Sequence, residues 1–290
     1  MRIIDAHNHP DFCNYGFDAF IKNMDEAGIE KTCLLSWEAP RNENDAAYLA
    51  LTPCPIDDSV PIPFRLCLEY RDKAPDRFIL GYAPDPRQPG AMSKMESAIK
   101  TYGVKVCGEV KFRMMYDNPD AIDLFRMCGE YGVPVILHFD YPEANLAKTP
   151  HPRRHWWYGG DIDTLERVLQ KCPDTKFLGH APGFWAHISD DNLGETMAYP
   201  LGPVVPGGKL EKFLDKYSNL YCDCSASSCL CAMSRDKEYT KNLILKHPDR
   251  FVYARDDFHN KHQVFFDTLG LPEDVLEMVY HKNIETLIGE

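Results

Sequence analysis

Ile3-Ile4-Asp5-Ala6-His7-Asn8-His9 opens the chain. Two apolar residues lead into a short strand that ends in two histidines, one residue apart. Side chains on a strand alternate between faces, so His7 and His9 point the same way. Two imidazoles on one side of a strand end can share a divalent cation. Taken alone, a His-x-His is more often a pair of turn histidines, so the rest of the chain has to decide.

The opening pattern recurs. Short apolar runs follow at 32–35, 78–82, 104–112, 133–139, 177–179, 220–222 and 251–254, which makes eight strand candidates with the first. Several are continuously apolar rather than alternating, as expected of a sheet buried on both faces. Helical patterns lie between them. Phe17, Phe20, Ile21 and Met24 repeat at helical spacing, and Gly28 sits where a helix would stop. Further helices are predicted at 92–102, closed by Gly103, and at 121–131, closed by Gly132. Ile162, Leu165, Val168 and Leu169 form one stripe over 161–171, and 209–217, 240–246 and 275–288 continue the series. Eight strands alternating with helices predict a parallel α/β architecture, and this length favours a closed (β/α)8 TIM barrel forming one domain over 1–290. No glycine-rich loop follows the first strand, which weighs against a nucleotide-binding open sheet. Two stretches, 37–76 and 182–208, are too long for plain turns. Both follow predicted strands, on the face where barrel enzymes build their sites.

Composition narrows the partners. Of the 290 residues 26% are charged, and the net charge of −12 argues against nucleic acid or an anionic membrane surface. No apolar run approaches the ~20 residues of a membrane span, and none near the start is long enough for a signal peptide. A cytoplasmic location is therefore expected. There the 11 cysteines act mostly as small buried hydrophobes. Cys222-Asp223-Cys224 and Cys229-Leu230-Cys231 lack the spacing of a zinc knuckle.

In a barrel, catalytic side chains come from the C-terminal ends of different strands. The first strand ends in His7 and His9. The fourth carries Glu109 and Lys111, two apart and so on one face. The fifth ends in His138, the sixth in His180, and the eighth in Arg255-Asp256-Asp257. Four histidines and an aspartate at equivalent strand ends are hard to explain by chance. The set resembles the amidohydrolase superfamily of metal-dependent barrels, in particular the amidohydrolase-related branch that includes aminocarboxymuconate semialdehyde decarboxylase. His180-Ala181-Pro182-Gly183 departs from that branch's glycine-rich segment. Arg255-Asp256-Asp257 departs from its small residue-Asp-aromatic sequence, and position along the strand favours Asp256.

The resemblance implies a metal bound by His7, His9, His138 and Asp256. It also implies Asp256 as proton acceptor and His180 as the acid/base or orienting group beside the metal. Zn2+ suits three imidazoles and a carboxylate, with Mn2+, Fe2+ or Ni2+ as alternatives. Glu109 is open between a metal ligand, an ion pair with Lys111 or Arg113, and a hydrogen bond to a metal-bound histidine. Lys111, Arg113, Arg153, His155, Trp156 and Trp185 are candidate substrate contacts. The cluster from His151 to Tyr158 suits an anionic or ring-bearing substrate, or else covers the barrel rim. His259 is a candidate for the rim, whereas His247, His262 and His281 are assigned no catalytic role. The expected activity is hydrolysis of a small molecule by metal-activated water. The same residues could serve a non-oxidative decarboxylase, and a non-catalytic metal-binding barrel is the third reading. A homo-oligomer is compatible with all three.

Overall fold

The structure, a computed structural model, describes residues 1–44, 46–52, 60–140 and 157–290. It is a (β/α)8 barrel. The strands are β1 Ile4–Asn8, β2 Lys31–Leu34, β3 Phe78–Leu80, β4 Cys107–Val110, β5 Val135–His138, β6 Phe177–His180, β7 Leu220–Cys224 and β8 Phe251–Tyr253. All pair in parallel and in sequence order, β1 to β3 and β4 to β8. Two seams close the ring. Gly81 and Val106 bridge β3 to β4. The amide of Asp256, just past β8, donates to the His7 carbonyl of β1 at 2.9 Å. At the same seam the Arg255 guanidinium meets Asp5 at 2.8 Å, both side chains fully buried.

Inside the ring, Ile4, Ala6, Leu35, Ile79, Val106, Ile136, Leu178, Val252 and Ala254 form one apolar cluster, joined by Ile284, Leu287 and Ile288 of the C-terminal helix. Alternate residues such as Val135, Leu137, Phe177 and Phe251 belong to the second cluster, which includes helix residues such as Phe125 and Leu165. Each large side chain buried this way contributes roughly 1.5–3 kcal/mol before the entropy cost of ordering it. The strands are thus apolar on both faces, and this is why their sequences do not alternate.

Most predicted helices are present. That at 275–288 is divided into Glu273–Glu277, a wider π turn Met278–Lys282, and Asn283–Ile288. Among the described residues, helices with no counterpart in the sequence reading include Phe64–Lys73, inside the long segment after β2, the short Pro182–Trp185, Ala226–Ser234 and Lys261–Thr268. Ala226–Ser234 is rich in serine and cysteine, which carry little intrinsic helical preference. Among the described residues no helix is long and apolar enough to cross a membrane. The ten cysteines among them are all free.

Candidate metal centre

The strand ends bring their polar side chains to one point through a break in alternation. On β5 to β8 the inward positions are even on β5, β6 and β8 (Ile136 and His138, Leu178 and His180, Val252 and Ala254) and odd on β7. On β1, however, Ile4 and Ala6 are in the interior cluster and yet His7 also faces the centre. The β1–β2 register is irregular between Asp5 and Asn8, and the β4–β5 register between Cys107 and Val110. Such irregularities re-aim side chains. Here they turn His7 and His9 inward, and on β4 they do the same for Glu109 after Val106. His138 and His180 are direct cross-strand partners, so they stand side by side at one level.

The hydrogen bonds fix which nitrogens are free. His7 Nδ1 donates to Asp223 Oδ2 at 2.6 Å. His9 Nδ1 donates to the Leu35 carbonyl at 2.8 Å. In the neutral rings that a cation requires, both Nε2 atoms are left as lone-pair acceptors, and they face each other at 3.3 Å. Asp256 Oδ1 lies 3.8 and 3.6 Å from them, and Glu109 Oε2 lies 3.5 Å from His9 Nε2. Four acceptors converge with no donor between them. Ligand atoms around Zn2+ at about 2.1 Å would be about 3.4 Å apart in a tetrahedron, so the donor set fits a divalent cation.

Charge gives the same answer. Glu109 and Asp223 are buried and Asp256 is partly buried around this point against one ammonium, that of Lys111. Buried anions need compensation. Without a metal, a proton supplies part of it. Burial by itself would depress the His7 imidazolium, but the carboxylates of Asp223 and Asp256 outweigh it and raise its pKa to about 10. Burial and the Lys111 charge push His138 down to about 4. Burial and the neighbouring His7 hold His180 well below the usual range. For Glu109, Lys111 and His138 overcome burial and lower the carboxyl well below its ordinary value, whereas burial raises that of Asp256.

His138 Nδ1 donates to Glu109 Oε1 at 2.6 Å, and its Nε2 is buried with no hydrogen-bond partner. Glu109 forms no ion pair with Lys111 among the described residues; it makes the hydrogen bond to histidine, and its other oxygen faces His9 Nε2. His180 Nε2 lies 3.5 Å from Glu109 Oε1 and 3.7 Å from Asp256 Oδ2. Its Nδ1 is held by Ser225 Oγ at 2.9 Å.

A cavity of about 280 Å3 opens above these groups, with His9, Glu109, Lys111, His138, His180 and Asp256 in its wall. Lys111 Nζ sits 4.0 Å from the Trp37 ring centre and 3.8 Å from that of Tyr48. Cation–π contact of this kind holds an ammonium without neutralising it. Two expectations are corrected. Trp185 is fully buried and does not line the cavity; its indole N–H donates to the Asp223 carbonyl at 3.0 Å, beneath the site. Arg113 does not line it either, and its carbonyl accepts from Arg87 at 3.2 Å. Arg153, His155 and Trp156 lie outside the described residues.

Asp223 and Ser225 escaped the sequence reading. Asp223 was visible as the polar residue closing the apolar run of β7, but between Cys222 and Cys224 it read as part of a cysteine pattern. Trp37 and Tyr48 carried no signal, since both come from the long segment after β2.

A barrel with this cluster at the C-terminal ends of its strands is a metal-dependent barrel enzyme by class. The amidohydrolase family model matches residues 62–289, and the chain belongs to that family. No curated protein sequence matches it significantly. Solved structures are similar over the whole chain. An uncharacterised TIM-barrel protein from Bordetella bronchiseptica matches with TM-score 0.66 and 16% identity over 100% of this chain and 99% of its own. A dihydroxybenzoic acid decarboxylase from a Polaromonas species, solved with bound manganese and an inhibitor, matches with TM-score 0.61 and 17% identity over 99% and 96%. A probable 2-pyrone-4,6-dicarboxylic acid hydrolase from Acinetobacter baumannii matches with TM-score 0.59 and 14% identity over 100% of both. At these identities the likenesses establish the fold.

Proposed function

We propose that this chain is a metal-dependent hydrolase of a small anionic molecule, acting in the cytoplasm. One observation carries the reading: the Nε2 lone pairs of His7 and His9 and the carboxylates of Asp256 and Glu109 converge with no donor among them. His7, His9 and Asp256 would hold the ion, with His138 joining through its unpartnered Nε2 and Glu109 orienting His138 or sharing the ion. Zn2+ is our first choice for this donor set, with Mn2+, Fe2+ or Ni2+ as alternatives. Bound there, a divalent ion supplies Lewis acidity and lowers the pKa of water toward ~7.

The protein's own groups would do the rest. Asp256 lies in the cavity wall with its carboxyl raised, and so is suited to take a proton. Asp256 would then return that proton to the leaving group, and His180, kept neutral and fixed by Ser225, would orient the substrate. Lys111, without a carboxylate within ion-pair reach among the described residues, would pair with an anionic group of the substrate, and Trp37 and Tyr48 would flank it. Arg153, His155 and Trp156 remain proposed contacts from sequence, and the partner is a small molecule rather than nucleic acid or membrane.

The second reading is non-oxidative decarboxylation. Lys111 in its aromatic setting favours it, because a ring-bearing acid would satisfy both charge and rings, and decarboxylases are among the similar folds. A panel of carboxylate-bearing lactones, esters, amides and aromatic acids, assayed with the metal-loaded protein, tests both. Ring opening or ester cleavage with uptake of water supports hydrolysis. Release of carbon dioxide without uptake of water would overturn it in favour of the decarboxylase.

A further inference from the structure

We propose that the chain carries a second divalent-cation site, at the barrel rim after β8, built from Asp257, His259 and His262 and suited to Zn2+. A carboxylate oxygen of Asp257 and a ring nitrogen from each histidine lie within 4.8 Å of one another. Two imidazoles and one carboxylate make a donor set for a borderline ion, not for Mg2+ or Ca2+. None of the three residues belongs to the central cluster.

His262 carries the argument. Its side chain is 1% exposed. Its Nε2 donates to the Ala226 carbonyl at 2.9 Å, which fixes the tautomer and leaves Nδ1 with the lone pair. That Nδ1 is buried and has no hydrogen-bond partner. The structural task of the residue is complete without it: Ala226 takes a left-handed φ of 59°, and the Nε2 bond pins it there. A buried acceptor with nothing to accept calls for an explanation, and an ion meets it.

The other two donors are close to position. The His259 ring stacks on that of His262, with centres 5.7 Å apart and planes within 17°. Lys261 N donates to His259 Nδ1 at 3.3 Å, so the ring proton sits on Nε2, which meets Asp257 Oδ2 at 2.6 Å. A cation here would be held by Nε2 of the other neutral tautomer, the ring proton moving to Nδ1 and the long Lys261 contact being given up. Asp257 also lines the mouth of the main cavity. An ion on it would keep open positions toward that mouth and place positive charge where an anionic substrate enters.

Counting ions tests the proposal. The full chain, stripped by chelator, is dialysed against Zn2+, and bound zinc is measured per chain. Wild type should hold two ions, His259→Ala one, and the His7→Ala/His9→Ala double variant one. The His259 side chain is one-third exposed, so its removal should leave the melting temperature unchanged. Should it not fold, the double variant gives the same reading. A wild-type count of one that falls to none in His259→Ala would support the rim site and remove the central one. Equal counts in wild type and His259→Ala, or no zinc in the double variant, would overturn the rim site.

Discussion

At the scale of single residues, the side chains that do not touch the expected ion matter as much as those that do. Asp223 holds the His7 ring by Nδ1 and so aims its Nε2. Such partners commonly set metal affinity by 10–100-fold. Asp223→Asn should therefore weaken zinc binding by roughly that factor in a competition titration, while leaving the count of ions unchanged. Lys111 is the opposite case: a buried charge held by rings rather than by an anion. Lys111→Met should destabilise the metal-free fold in urea unfolding, because it removes the one ammonium that offsets the surrounding carboxylates. The same change should raise KM for anionic substrates. Ala181 shows a third kind of constraint. It has φ 77° and ψ 176°, a region essentially reserved for glycine. The resembled family has a glycine-rich segment there. Ala181→Gly should raise stability by about 1 kcal/mol, read from the urea midpoint, since relief of strain exceeds the added unfolded-chain entropy.

At the scale of elements, β6 and β7 show how a strand end becomes a site. Gly179 precedes His180, and a Cβ there would lie 2.4 Å from the Phe184 ring. That ring belongs to the short helix Pro182–Trp185, whose Trp185 in turn holds the backbone of Asp223. Gly179→Ala should cost about 2–3 kcal/mol by overpacking, and it should disturb zinc affinity through the same contacts. A loss of stability with unchanged affinity would show that this helix does not position the site. On β1 and β4 the register irregularities do the aiming, and no sequence rule for alternation would have placed Ala6 and His7 on one side.

At the scale of the whole molecule, the metal site is also a seam of the barrel. Asp5, Arg255 and Asp256 join β8 to β1 directly below it. Binding of an ion to the folded chain alone adds about 2.7 kcal/mol at a concentration one hundred times Kd, so chelation should lower the melting temperature. The metal-free protein should also respond to pH in a defined direction. His7 is raised from 6.5 to about 10. Its contribution is complete below pH 6.5 and is lost as pH rises toward 10. His138, lowered from 6.5 to about 4, contributes fully above pH 6.5 and loses its contribution as pH falls toward 4. Stability of the metal-free chain, followed by urea unfolding, should fall on the alkaline side of 6.5. Loading with Zn2+ should flatten that decline, because the ion replaces the His7 proton. A decline of equal size with and without zinc would sink this account.

The sequence by itself determined the barrel and five of its central residues. Apolar runs of strand length, helical stripes between them and polar residues at matching run ends are local signals, and local signals survive in one dimension. His7, His9, His138, His180 and Asp256 were legible for that reason. Only the tertiary structure decided what holds them. The hydrogen bond of Glu109 to His138, the reach of Asp223 across 216 positions to His7, the cage of Trp37 and Tyr48 around Lys111 and the withdrawal of Trp185 from the cavity are contacts between distant segments. The physical reason is that a side chain's partner is set by where the ring of strands closes, and closure depends on the packing of all eight at once.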